Sequence, residues 1–317
     1  TAKQYNTGTT TITWLNNQTR DVAEQRLWDL MVNNIEATRK LVERVGNLDE
    51  TLRMVRLSSD IIPVYTEPTW RYYWQLPDVK RYMETAFSRL GLLVRDRNIR
   101  VSFHPGQFTV LASDNQSIVD RSIEEFEYHA DMIRMMGFGK KFQDFKCNVH
   151  IAGRAGAEGI RKAYSRLSPE ARNTITIENE EMKHGLDDCL ALADIIPIVL
   201  DIHHHFVREG EYISSTDRRV KQVQESWRGL RPTCHYSVSR EDLLVGHDTT
   251  TLPVMTQLLE SGYKKSKLRA HSDFYWNTAV NDWALTHWAW ADIMCESKAK
   301  NLASKRLYEQ ARMTDYV

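Results

Sequence analysis

Six residues of the types that bind divalent metals stand at the ends of successive short apolar runs: His104, His150, Glu178, Asp201, His235 and Glu296. The steps between them run from 23 residues, Glu178 to Asp201, to 61 residues, His235 to Glu296, the longest containing His271. That is the scale of βα units with insertions. Three imidazoles and three carboxylates, with His204 and His271 near them, exceed the needs of one ion, since a catalytic zinc takes about three protein ligands and keeps one position open. Two or three ions are implied, and mixed imidazole and carboxylate ligands suit Zn, Mn or Fe. Ions about 3.5 to 4 Å apart can activate a water, orient a phosphodiester and stabilise its leaving oxygen, which makes phosphoester hydrolysis the leading chemistry. A lone His is usually a satisfied structural residue, and a lone strand-end carboxylate is often only an N-cap. Six in succession at strand ends is not what unrelated structural causes produce. By the same reasoning His129, in a helical segment, His184 and His247, in loops, and His287, among tryptophans, read as structural.

For such dispersed residues to meet, the chain must bring its strand ends to one place. Strand-like runs fall at 52–57, 99–104, 145–151, 174–178, 198–202, 233–237 and 292–296, and all are rich in β-branched or apolar residues. Between them lie segments of helical periodicity, most clearly 22–45, 79–95, 120–136, 189–195 and 298–312. Gly46 and Gly137 stand where a left-handed residue would end a helix, and Asp78 where an N-cap would begin one. Alternation of this kind predicts an α/β fold with parallel strands. The expected architecture is a single (β/α)8 TIM barrel spanning residues 1–317, with its first strand at or before Tyr5 and its metal site at the carboxyl face of the strands, where all strand ends open together.

Composition limits the partners. The 317 residues carry 42 Lys plus Arg against 42 Asp plus Glu, so no basic excess announces a nucleic acid, and any such contact must use a local surface. Aromatic residues at 10%, with 8 Pro and 14 Gly, argue for a packed globule over a disordered chain. No run approaches the roughly 18 to 20 apolar residues of a membrane span, and TAKQYNTGTT lacks the pattern of a signal peptide. A cytoplasmic protein is therefore expected. Cys147, Cys189, Cys234 and Cys295 are too dispersed for a zinc knuckle or a disulfide framework, and are expected to be reduced thiols.

The motifs around these residues are RLSSDIIP (56–63), SFHPGQF (102–108), VHI with a following glycine (149–153), TIENEE (176–181), LDIHHH (200–205), CHYS (234–237), AHSD (270–273) and MCESKAKNLA (294–303). Together, over nearly the whole chain, they resemble the UV damage endonuclease family, metal-dependent TIM barrels related to apurinic endonucleases of the endonuclease IV type. The resemblance implies that His104, His150 and Glu178 hold one ion. Glu178 would bridge to a second held by Asp201, His235 and Glu296, and His204 with His271 would hold a third. Glu178, His104, Asp201 and Glu296 are the residues it implies for catalysis, with two or three divalent ions as cofactor: manganese first, zinc or magnesium as alternatives. It selects His204 over His203, against strand parity. It implies a DNA repair enzyme acting on damaged double-stranded DNA, with no membrane and no obligate protein partner. The phosphodiester immediately 5′ of a pyrimidine dimer or related distortion, abasic sites among them, would be hydrolysed by metal-activated water, leaving a 3′ hydroxyl. Gln107 and Phe108 match the pair that probes the duplex, a sensible device because unstacking is least costly where a base pair is already damaged.

Two positions depart from the family pattern. Glu67, in YTEP, stands where the family has His, and Thr233 stands where it has a Lys two residues before the CHYS-type His. A carboxylated lysine across two metals is therefore ruled out at that position. Further DNA contacts are expected from Arg71, set among five aromatics in YTEPTWRYYW (65–74), unless that loop packs on the helical layer, and from Lys265 in the basic cluster Lys264, Lys265, Lys267 and Arg269. GRAGAEG (153–159) reads as a turn and helix start in preference to a phosphate cradle. Two rivals remain at this point: a divalent-metal sugar isomerase-like barrel and a non-catalytic lesion-binding protein with structural metals.

Overall fold

The computed structural model describes residues 3–314 and Tyr316. The chain divides into two compact units, one of Thr1–Leu111, Asn115–Val149 and Lys162–Ile175, the other of Ala112–Asp114, His150–Arg161 and Thr176–Val317. In the first unit, strands β1 (Met54–Arg56), β2 (Arg100–Phe103) and β3 (Lys146–His150, its last residue counted with the second unit) run parallel. Val55 pairs with Val101 and Phe103 with Cys147. Three long amphipathic helices accompany them, Arg20–Gly46, Pro77–Asp96 and Gln116–Met135; parallel strands need crossovers, and the last two helices are those from β1 to β2 and from β2 to β3, while the first precedes β1. The Thr19 hydroxyl accepts the Val22 N–H to start the first, and the Asn115 side chain accepts the Ser117 N–H to start the third. The second starts two residues earlier than expected: Leu76 is its cap and Pro77 its first residue, where a missing N–H costs nothing, while Asp78 lies inside the first turn. Gly137 takes φ +86° after the third helix, as a helix stop requires, whereas Gly46 is still helical and Asn47 forms the cap.

The second unit contains β4 (Ile175–Glu178, from Thr176 onward), β5 (Ile198–Val199), β6 (Thr233–Tyr236) and β7 (Asp292–Cys295). β4 pairs parallel with β5, and β6 with β7, with His235 opposite Met294. The His235 N–H donates to Leu200 O at 2.9 Å, so the residues after β5 adjoin β6. Tyr236 stacks on Tyr275, ring centroids 4.6 Å apart, and its hydroxyl donates to Asn281 Oδ1 at 2.6 Å. The Trp227 indole donates to Ile198 O, tying the short β5 to the helix Arg218–Ser226 that precedes β6.

The α/β alternation and parallel pairing agree with the sequence reading, with local differences. Residues Lys3–Tyr5 form a 3-10 turn instead of a strand, and Thr1 and Ala2 lie outside the described residues. β5 stops at Val199, and Asp201 begins a helix, Ile202–Glu209, that periodicity did not reveal in so short a segment. The helix expected at 189–195 is displaced to Leu186–Leu190, and the last one runs over Asn301–Met313. All four cysteines are free, as expected. Among the described residues no helix is long and apolar enough to cross a membrane. The histidines read as structural include two that are deeply buried. His129 bonds to Glu125 O and Ser59 Oγ, and His287 to Ile213 O and the Trp290 indole, and burial pushes both down to about 4.

Helix packing in the first unit depends on one missing side chain. A Cβ on Gly91 would sit 1.9 Å from the Met136 carbonyl oxygen, so the helix Pro77–Asp96 approaches the end of Gln116–Met135 backbone to backbone. An exposed mid-helix Gly→Ala change normally gains up to about 1 kcal/mol. Here Gly91→Ala is expected to cost about 3 kcal/mol through the clash. Urea denaturation measures the sign, and a gain in stability would refute the close approach.

Candidate metal centre

In the second unit the strand ends deliver their acids and imidazoles to one buried point. Glu178 closes β4, with its side chain fully buried. Its Oε1 lies 3.1 Å from His235 Nδ1 and 3.5 Å from His204 Nδ1, and its Oε2 lies 3.3 Å from His150 Nε2. His235 Nδ1 is also 3.3 Å from Glu296 Oε1, Glu296 being the residue that follows β7. One ligand atom from each of Glu178, Asp201, His235 and Glu296 lies within 4.8 Å of all the others. These four residues are distant along the chain, and the parallel registers of β4 with β5 and β6 with β7 align their strand ends.

Asp201 is a helix cap whose second carboxylate oxygen is left for the centre. Its Oδ1 accepts the His204 N–H at 2.8 Å, and its backbone is fastened to the Asn179 side chain by bonds of 2.8 and 3.0 Å. The other oxygen, Oδ2, is buried and accepts no hydrogen bond. Because the chain is already turning into a helix at Asp201, residues three apart share a face. His204 is therefore brought back to Asp201, with Nε2 3.5 Å from Oδ2, while His203 points toward His271, ring centroids 6.0 Å apart. Strand parity fails here because no strand is left to obey it. His204 Nδ1 is 2.8 Å from Asn179 O and His271 Nδ1 is 2.9 Å from Glu296 O, contacts to carbonyls in which each Nδ1 donates, leaving the Nε2 lone pair available.

Electrostatics tests whether a cation fits. Two like charges 4 Å apart repel by about 4 kcal/mol even at an effective dielectric of 20. Burial, then Glu178 and Glu296, push the Asp201 carboxyl well above the usual carboxylate range. Burial lowers His150, but Glu178 more than offsets it and leaves that imidazole raised. Three carboxylates and neighbouring imidazoles, with Asp201 Oδ2 buried and accepting no hydrogen bond, form a set of donor atoms that a divalent cation fits.

His104 is the residue after β2 in the first unit, half-buried, its Nδ1 3.0 Å from Pro105 O. Gln107 and Phe108 lie in the turn beyond it, also in that unit, and Phe108 is 87% exposed, which excludes ordinary core packing. Glu67 spends Oε2 on the Thr69 and Trp70 N–H groups, at 2.9 Å each, as the brace of a turn. Arg71 is exposed, but its aromatic neighbours pack on helices: Tyr65 bonds Asp131, Trp70 bonds Asn16 and Tyr72 bonds Glu24, while Tyr73 and Trp74 are buried. Lys265 donates to Arg208 O at the end of the helix Ile202–Glu209, a C-terminal capping role. Thr233 is buried, its hydroxyl without a hydrogen-bond partner. Gly153 takes φ +115° and GRAGAEG turns into the helix Gly156–Ser165, as the sequence suggested. The sequence reading did not single out Asn179, which holds Asp201, or Glu181, whose Oε2 is 3.7 Å from His204 Nε2. Both lie in TIENEE beside Glu178, and that adjacency was the only available signal.

Parallel strands whose ends collect buried carboxylates and imidazoles define an α/β protein with a centre fit for divalent metal. The particular family follows from comparison with known proteins: the chain belongs to the UV-endonuclease UvdE family, whose profile matches residues 2–316. A UV DNA damage endonuclease of Bacillus mycoides (strain KBAB4) is 28% identical over 298 residues, 90% of this chain and 82% of that one. A UV-damage endonuclease of Schizosaccharomyces pombe (strain 972) is 27% identical over 281 residues, 83% of this chain but 41% of the other. The crystal structure of SacUVDE superposes with a TM-score of 0.74 at 22% identity, covering 98% of this chain and 94% of that one. Endonuclease IV from Thermus thermophilus gives 0.53 at 12% identity, covering 87% and 93%. These likenesses show the expected fold, that of the endonuclease IV-type TIM barrels.

An Asp201→Asn substitution separates ligand from structural roles. A carboxyl whose folded pKa is raised above its unfolded value destabilises the fold increasingly as pH rises through that window. Metal-free Asp201→Asn is therefore expected to melt several degrees above metal-free wild type at pH 8, while its gain in melting temperature on adding Mn(II) shrinks. Calorimetry with and without the ion checks both, and an undiminished gain would remove Asp201 from the ligand set.

Proposed function

We propose that this protein is a metal-dependent DNA repair endonuclease that incises double-stranded DNA immediately 5′ of UV photolesions and related distortions, leaving a 3′ hydroxyl. We take residues 1–317 to serve one endonuclease domain. The observation that carries the reading is the buried quartet Glu178, Asp201, His235 and Glu296 in a chain of the UV-endonuclease family. The relatives' names, UV DNA damage endonuclease and UV-damage endonuclease, supply the substrate class.

Bound at this centre, divalent ions would supply an activated water and stabilise the departing 3′ oxygen of an in-line displacement. The protein's part is positioning. Glu178 joins the two sides of the centre, one oxygen toward His150 and the other toward His235. Asp201 and Glu296 complete the negative set, Asn179 fixes Asp201, and the Glu296 carbonyl fixes the His271 tautomer. His104 joins on its SFHPGQF motif, and manganese leads the assignment on the donor set, with zinc or magnesium next. Arg71 and Lys265 remain proposed phosphate contacts, Lys265 the weaker because it already caps a helix. Glu67 is proposed at most as an indirect contributor, through the turn it braces.

Recognition of damage falls to the turn at Gln107 and Phe108. The turn is braced at its base, Thr109 N–H to Gly106 O at 2.9 Å and Val110 N–H to Ser122 Oγ at 2.9 Å, so the exposed ring is presented on a firm support. A wedge of this kind gains most where stacking is already weakened, and so selects distortion over sequence.

Glu178→Gln is expected to lower incision of a photodimer-containing duplex by at least a thousandfold with folding intact. Full activity in that variant, by end mapping on a defined substrate, would defeat the assignment. The Gln107→Ala, Phe108→Ala double variant should lose most of its preference for damaged over intact duplex while binding Mn(II) as the wild type does. Paired DNA-binding and metal titrations distinguish this from a general loss of the site.

A further inference from the structure

The turn that carries Gln107 and Phe108 has little packing of its own: a Cβ added at Gly106 would meet no atom within 4 Å, and Phe108 stands exposed beside it. Its placement is therefore decided at its two feet. The exit foot is the Val110 N–H on Ser122 Oγ. The entry foot is the carbonyl of His104, which accepts from the Ser59 hydroxyl at 3.3 Å. Ser59 lies in the loop after β1, and the helix Gln116–Met135 grips it twice. The Tyr128 hydroxyl donates to Ser59 O at 2.6 Å and accepts the Ile62 N–H at 3.0 Å. His129 Nε2 lies 2.9 Å from Ser59 Oγ, and its Nδ1 lies 2.7 Å from Glu125 O, a contact in which Nδ1 donates, so in the neutral ring Nε2 accepts. The single Ser59 proton thus faces two acceptors, Nε2 and His104 O, a three-centre arrangement that fixes the direction of the hydroxyl. Tyr128 and His129 are both buried, and Asn34, buried as well, holds the far side of the same loop through Asp60 O and Ile61 O at 3.0 and 3.1 Å.

We propose that Ser59 is a positioning residue for the lesion-probing turn: its hydroxyl, aimed by Tyr128 and His129, fixes the carbonyl from which that turn departs. This rests on the endonuclease reading above and extends it from the exposed pair to the buried support behind it. His129 then serves recognition at a distance, through the proton it draws from Ser59. Without that hydroxyl the exit foot still holds, but the entry foot is free to pivot, and the Phe108 ring has to be ordered as the duplex arrives. That cost falls on the damaged duplex, where the ring inserts, and not on the intact one.

The test is steady-state incision of a photodimer duplex by the Mn(II)-loaded enzyme, with the undamaged duplex as competitive inhibitor. Ser59→Ala is expected to lower kcat/KM on the damaged duplex about threefold or more, the scale of one lost hydrogen bond, and to leave the inhibition constant of the undamaged duplex unchanged. Tyr128→Phe, which releases the Ser59 carbonyl and keeps the ring, should reproduce that pattern, and it serves as the separate measurement should Ser59→Ala fold poorly. Added to the Gln107→Ala, Phe108→Ala variant, Ser59→Ala should cause no further loss, because the turn then carries nothing to position. A Ser59→Ala enzyme equal to wild type would overturn the proposal. So would a loss that persists in the Gln107→Ala, Phe108→Ala background, which places the effect in His104 or in the fold at large, or an equal weakening toward both duplexes. A wild-type enzyme that leaves the photodimer duplex uncut defeats the endonuclease reading itself, so the two failures are distinguishable.

Discussion

Like charges held together away from water are the constraint on which the second unit is built. Glu178, Asp201 and Glu296 approach within ion-sharing distance, the first two fully buried, where their charges repel one another with little water to screen them. Such a cluster weakens the metal-free fold, and it persists because the surrounding elements over-determine it. β4 and β5 are fully buried, β6 and β7 pair over four residues, and the Tyr236–Tyr275 stack closes the layer behind them. Rigidity of this kind keeps the acids from swinging apart into solvent. The same geometry fits a divalent cation, which would remove several repulsions at once.

Secondary contacts decide which atom of each ligand faces inward. Asn179 holds the Asp201 backbone and takes the proton side of His204, and the Glu296 carbonyl does the same for His271. None of these partners need bind metal, yet each removes a rotational freedom that would otherwise be lost on ion binding. The helix beginning at Ile202 contributes in the same way: its first turn returns His204 to Asp201, and its last carbonyls are capped by Lys265. A basic residue near a centre can thus serve the scaffold and not the substrate.

The contrast between two aromatic segments makes a similar point. In residues 65–74 the rings have hydrogen-bonding and packing partners on neighbouring helices of the first unit, so their abundance reflects local stability. Phe108 has no such partners and stands in solvent at the tip of a braced turn. Exposure of one large ring on a firm support is a costly arrangement unless something covers it, and that is the ground on which the ring was proposed as a wedge.

The sequence by itself determined the fold class, the long helices and the types of ligand, because periodicity and strand-end chemistry are local properties that survive without coordinates. Its family motifs likewise reached His204 in preference to His203. What only the tertiary structure decided were the relations between distant residues. The turn of the chain into a helix at Asp201, the capture of Glu67 and Lys265 by backbone groups, the packing of residues 65–74 and the approach of Glu181 to His204 all depend on neighbours far away in sequence. No pattern along one strand encodes which acceptors will face each other without a proton between them. That depends on where separate elements meet in space, and it is there that the need for a cation arises.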